Sequence, residues 1–135
     1  MTGDSEIFKN EYITVRLERD GQLVRLIRSA VPFPDPKTVE HAWAPVIFLL
    51  DRIGREGRCI LSDTRLAPGR NDPAFEAALA RVRKEMFREF RKAATLVQSK
   101  VGLLHVSRLI REDRVDRMAF SDEAELFAYL GLKQR

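Results

Sequence analysis

Asp63, Thr64 and Arg65 follow a short apolar run, Cys59-Ile60-Leu61, so a carboxylate, a hydroxyl and a guanidinium come together at one point of the chain. In α/β sheets ligands usually bind just beyond the carboxyl end of a central strand, which is where these three residues fall. Asp63 could act there as a base, or more simply bond loop amides and close a turn. Asn71 and Asp72 stand at the next helix start, and Asp72 before Pro73 reads first as an N-cap, worth roughly 1 kcal/mol. The two histidines, His41 and His105, lack the carboxylate spacing of a metal site. Cys59 is the single cysteine, which excludes an internal disulfide and reads as a small buried hydrophobe. No G-x-S-x-G elbow is present, and Gly54 and Gly57 precede the strand, the wrong side for a phosphate loop. No catalytic set, metal or cofactor is therefore expected, and the reading is non-enzymatic, with an Asp63-based enzyme as a weaker alternative.

The most charged stretch follows Asp72, with Arg81, Arg83, Lys84, Arg88, Arg91 and Lys92 against Glu76, Glu85 and Glu89. Arg81 with Glu85, and Glu85 with Arg88, are spaced to pair along one helix face. What such pairing leaves over would suit docking of an acidic protein. The 24 basic and 20 acidic residues are interspersed, and aromatic residues for base stacking are missing outside the apolar stripe, so nucleic acid is not the expected partner.

These residues need elements to hold them. Ile13, Val15 and Leu17 alternate with polar neighbours, the period of a half-buried strand, and Asp20-Gly21 supplies two positive-φ turn positions. That turn pairs Leu17 with Val24 and Val15 with Leu26 on one face, and sets Arg16 opposite Arg25 on a face expected to meet water. Asp35-Pro36 caps a helix whose stripe is Val39, Trp43, Val46, Leu50 and Ile53, with Pro45 inside and Gly54 or Gly57 as its stop. Cys59 to Leu61 predicts a central strand covered on both faces. Phe75, Leu79, Val82, Met86 and Phe90 mark a second helix, Ala93 to Ser99 a strand, and Lys100 to Arg114 a third helix. The core side of that helix stays open, because Val101, Leu104 and Leu109 compete with Leu103, Val106 and Ile110. Arg117 to Phe120 suits an edge strand, and Asp122 with Glu125 forms a capping-box pattern before a last helix ended by Gly131.

The order predicts an α/β fold: a mixed, mostly parallel sheet of about five strands with an N-terminal β-hairpin and about four helices. Residues 1–10 read as an arm and 11–132 as one domain, since 135 residues with 44% hydrophobic content suffice for one core. The longest apolar run, Ala42 to Leu50, is too short to span a membrane, and the first residues carry no basic leader, so a cytoplasmic location is expected. An exposed edge strand from the hairpin would make a homodimer easy to build.

The element order, the I-L-S-D strand end at 60–63, the V-Q-S-K-V junction at 97–101 and the terminal M-A-F-S-D-E-A-E-L-F-A-Y-L segment resemble the STAS superfamily, within it the small SpoIIAA-like or SEC14-like bacterial domains. The resemblance implies a regulatory module that docks a signalling protein through the loop after the central strand and the following helix. Carried onto this chain, the docking residues would be Asp63, Thr64, Arg65, Asn71, Asp72, Arg81, Lys84 and Arg88. Relatives that act as anti-sigma-factor antagonists are switched by phosphorylation at a D-S-S-G-like step, whereas Asp63-Thr64 and Asn71-Asp72 offer no serine followed by glycine. SEC14-like relatives imply the alternative, a carrier of a small apolar or lipid-like ligand.

Overall fold

A computed structural model describes residues 4–69 and 72–133. Among these residues six strands form one sheet in the order of the sequence, β1 (Ser5–Lys9), β2 (Ile13–Glu18), β3 (Leu23–Arg28), β4 (Cys59–Asp63), β5 (Lys92–Leu96) and β6 (Met118–Phe120). The helices are α1 (Pro36–Ile53), α2 (Pro73–Phe87), α3 (Lys100–Asp113) and α4 (Glu123–Leu130). From β1 to β3 the strands run antiparallel, and from β3 to β6 parallel. No helix among the described residues is long and apolar enough to cross a membrane.

The hairpin has the expected register, with Leu17 facing Val24 and Val15 facing Leu26. Gln22 N–H donates to Arg19 O across Asp20-Gly21, and both central residues have positive φ, as does Arg19 before them. Two expectations about this hairpin change. Residues 5–9 of the predicted arm pair with β2, so the sheet has six strands rather than five and neither hairpin strand lies at its edge. The face carrying Arg16 and Arg25 is also not left to water. Glu18, itself buried, accepts from both guanidinium groups at 3.1 Å, and Arg25 lies over the Phe127 ring of α4. One carboxylate between two cations turns a repulsive cross-strand pair into a bridge.

Each parallel step moves one strand further across the sheet. Right-handed crossovers then carry α1, α2 and α3 over the same face. Alternation along the strands decides what each face presents. Val24 and Leu26, Ile60, and Ala93 lie under α1 and α2 with Ile13 and Val15. Leu23, Cys59, Leu61, Ala94 and Leu96 lie under α4 with Leu126, Phe127 and Leu130. Burial on both faces explains the unbroken apolar run of β4, all five of whose residues are buried.

The helix ends follow local chemistry. Asp35 accepts from Thr38 N–H at 2.8 Å at the start of α1, and Gly54, at φ 88°, donates to Leu50 O at its end. Asp72 does occupy the N-cap position of α2, but its side chain makes no capping hydrogen bond. That helix stops at Phe87, before the last predicted stripe residue, Phe90, which packs beside the core from the following loop. Arg55, reaching over from the end of α1, donates to the carbonyls of Met86 and Arg88 and so satisfies the C-terminus of α2. In α3 no residue is fully buried. The competing apolar sets resolve into a split, with Val101 and Leu104 exposed while Val106 and Leu109 face inward.

Candidate functional site

Because α3 stands off the sheet, a cavity of about 340 Å³ remains between α2, α3 and the parallel strands. Its floor is set by strand parity. Arg28 follows Val24 and Leu26 on the helix-covered face of β3, Ser62 follows Ile60 on β4, and Thr95 and Val97 follow Ala93. Phe75, Leu79, Val82 and Met86 of α2 form one wall, and Gly102, Val106 and Leu109 of α3 form the other. Phe33 and Trp43 close the α1 end. The loop after β4, through Thr64, Arg65 and Ala67 to Gly69, rims the cavity at the carboxyl ends of the strands. That position matches the general rule for ligands in open α/β sheets.

The predicted site residues separate here. Thr64 and Arg65 line the cavity, and Thr64 Oγ1 donates to Leu96 O at 2.9 Å. Asp63 belongs to the face under α4, following Cys59 and Leu61, and its carboxylate is engaged locally. Oδ1 accepts from the Arg65 N–H and Nε, and Oδ2 from Nη2 at 2.8 Å. Asp63 thus clamps the loop, the role that a loop-bonding aspartate plays. Asp72 is at the helix start, outside the lining, and Asn71 lies outside the described residues.

Arg81 and Arg88 turn toward α1 rather than the cavity. Arg81 pairs with Glu40 at 3.3 Å instead of the expected Glu85, and Arg88 pairs with Asp51 at 2.8 Å as well as with Glu85 at 3.3 Å. Two helices packed side by side put these carboxylates in closer reach than the spacing along α2 does. Lys84 is exposed. Of the described residues in the expected docking set, Thr64 and Arg65 rim the cavity, Asp63 turns to the α4 face, and Arg81 and Arg88 face α1.

Charge within the cavity is unevenly balanced. Of the four arginines among its described lining residues, Arg65 is held by Asp63, and Arg83 and Arg117 share Asp113 at 2.9 and 3.0 Å. Arg28, only 8% exposed, donates instead to three carbonyls, those of Tyr12, Ser29 and Val31. It also lies 4.4 Å from the Phe33 ring centre. Desolvation pushes Arg28 down to about 10, so it stays charged at neutral pH. Buried donors at Trp43 Nε1 and Arg117 Nε have no partner. Such orphaned donors cost roughly 1–3 kcal/mol each, so an acceptor supplied by a ligand would offset a real penalty.

Sequence reasoning passed over Arg28, Ser62 and Thr95, although a signal for them existed. Each is a polar residue at a position where alternation or an unbroken apolar strand demands burial. Cys59 meets its expectation, since burial pushes its thiol up and keeps it protonated, 2.9 Å from Arg91 Nη2. His105 faces the cavity with Arg108 beside its ring, and no group of metal-ligating side chains occurs among the described residues.

No protein-family model matches the chain, and no curated protein does. A solved structure does resemble it: an uncharacterized protein of the DUF3478 family with a SpoIIAA-like fold from Shewanella loihica PV-4, at TM-score 0.63. The likeness covers 92% of this chain and 98% of that one, at 12% identity. The class is thereby defined as a SpoIIAA-like fold, the STAS-type arrangement that the sequence resembles. At that identity the likeness carries the fold alone.

Proposed function

We propose that this protein is a non-enzymatic cytoplasmic module that holds a small apolar or amphipathic molecule between its sheet and helices α2 and α3. One observation carries the reading. A cavity of about 340 Å³, at the small end of the ~300–1,000 Å³ typical of ligand pockets, is walled by Phe33, Trp43, Phe75, Leu79 and Met86. A space that size suits a single chain or ring system rather than a two-chain lipid. Native mass spectrometry of the gently purified protein is expected to show a bound small molecule. Val106→Trp, which fills the cavity from a half-buried position, should release it without unfolding the sheet. A clean apo mass, together with no thermal shift across a panel of single-chain and aromatic compounds, would sink the reading.

A second reading, docking of a signalling protein by the loop after β4 and by α2, is favoured by Leu66, which stands 64% exposed in that loop beside Arg65. Asp63, Thr64, Arg65, Asn71, Asp72, Arg81, Lys84 and Arg88 are its proposed contacts. Reversing Arg81 or Arg88 would also break their pairs with α1, so the cleaner variant is Leu66→Asp with Lys84→Glu. Loss of a captured partner with an unchanged melting temperature is the expected result. Equal capture by wild type and variant would remove this surface from consideration.

A further inference from the structure

The arginines around the cavity differ in one respect, namely what balances their charge. Three of the four have a carboxylate from this chain within hydrogen-bond reach. Arg28 has carbonyl oxygens alone, and its three hydrogen bonds use three of the five N–H groups that a guanidinium carries. The two remaining N–H groups match the two oxygens of a carboxylate, which guanidinium groups bind in bidentate fashion. A buried cation without a counter-charge is costly, and Arg28 stands here in the lining of the cavity. Trp43, which also lines the cavity, is 3% exposed and its Nε1 donor is unpartnered.

We infer that the ligand of this cavity is a monocarboxylate with an apolar body, its carboxylate received by Arg28 and its hydrocarbon lying between α2 and α3. The inference rests on the cavity reading above and adds the chemistry of the head group. Carbonyls of Tyr12, Ser29 and Val31 hold the guanidinium from behind, so it is oriented before the ligand arrives. Preorganisation of that kind lowers the ordering cost of binding. Phe33, over which Arg28 lies, and Phe75, Leu79 and Met86 then receive the apolar part. Glu76 is the one acidic residue in the described lining, and Arg83 lies 3.7 Å from its carboxylate, so that carboxylate is already engaged.

Trp43 is the single tryptophan of the chain and lines the cavity, so its fluorescence reports occupancy. The wild-type protein is titrated at neutral pH with decanoate, 2-naphthoate and the methyl ester of each. Each acid is expected to bind roughly tenfold or more tightly than its ester, the increment of a hydrogen bond to a charged group. In Arg28→Gln that preference should disappear, while Arg28→Lys, which keeps the charge, should retain part of it. The acid-against-ester comparison on the wild type decides the head-group question even if Arg28→Gln fails to fold. Equal binding of acid and ester would overturn the inference and leave the cavity reading standing. An undiminished preference for acid in a folded Arg28→Gln would overturn the assignment to Arg28. Binding of none of the four compounds would count against cavity and head group together.

Discussion

Single side chains in this protein are spent mostly on one another. Asp113 shows it best: its side chain is 7% exposed and holds Arg83 of α2 and Arg117 just before β6. Burial pushes the carboxyl up, but hydrogen bonds from Arg117 and the Val115 amide, with Arg83 beside them, hold it below its ordinary value of 3.8. A depressed folded-state value means that its contribution is present above the unfolded value and is lost as pH falls through the folded one. Asp113→Asn leaves the buried Arg117 guanidinium without a charge partner and Arg83 with Glu76 alone, and is expected to cost about 3–5 kcal/mol at neutral pH. Urea unfolding across pH checks both points. The variant should lose stability near neutrality and show a shallower acid limb than the wild type below about pH 4. Arg28 is the counter-example, a buried cation whose partner this chain does not supply as a carboxylate.

Among the helices, α3 is held least. It buries no residue fully, whereas α1 buries Val39, Ala42, Trp43, Val46 and Leu50. Hydrogen exchange should therefore be faster through α3 than through α1, because an element with few buried apolar contacts opens at lower cost. Gly102, the third residue of α3, sharpens the point. Its N–H bonds Ser99 Oγ at 3.1 Å, and a Cβ there would meet Ser99 Oγ and the Val97 side chain at 3.5 and 3.6 Å, ordinary contacts. Gly102→Ala is expected to stabilise the protein by roughly 0.5–1 kcal/mol, read as a raised urea midpoint with an unchanged slope. A lowered midpoint would mean that the helix needs the space the glycine leaves.

At the scale of the whole molecule, the sheet's free edges are β1 and the three-residue β6. Register slips between Glu6 and Phe8, and Glu6 and Lys9 put charge on the edge, devices that discourage strand addition. Asp4, just before β1, also accepts from Arg19 N–H in the hairpin turn. Removing residues 1–9 would uncover β2, a longer and more apolar edge. Such a truncated chain is expected to self-associate, measured by light scattering against the full chain, which should remain smaller at equal concentration. If both behave alike, β1 is not the guard of that edge.

Local chemistry in the sequence determined the hairpin register, the caps at Asp35 and Asp122, the stop at Gly131 and the double-faced burial of β4. Each depends on residues within a few positions of one another, or on a period that survives any packing. Tertiary structure alone decided the rest. Arg81 left Glu85 for Glu40 because two helices came side by side, and the like-charged pair Arg16 and Arg25 became tolerable because Glu18 and α4 covered it. The apolar sets of α3 could not be ranked from their spacing, since which side faces inward depends on how far the helix stands from the sheet. The cavity is that same distance expressed as volume. No stretch of sequence encodes it, because it arises where α2, α3 and the strand ends fail to close on one another.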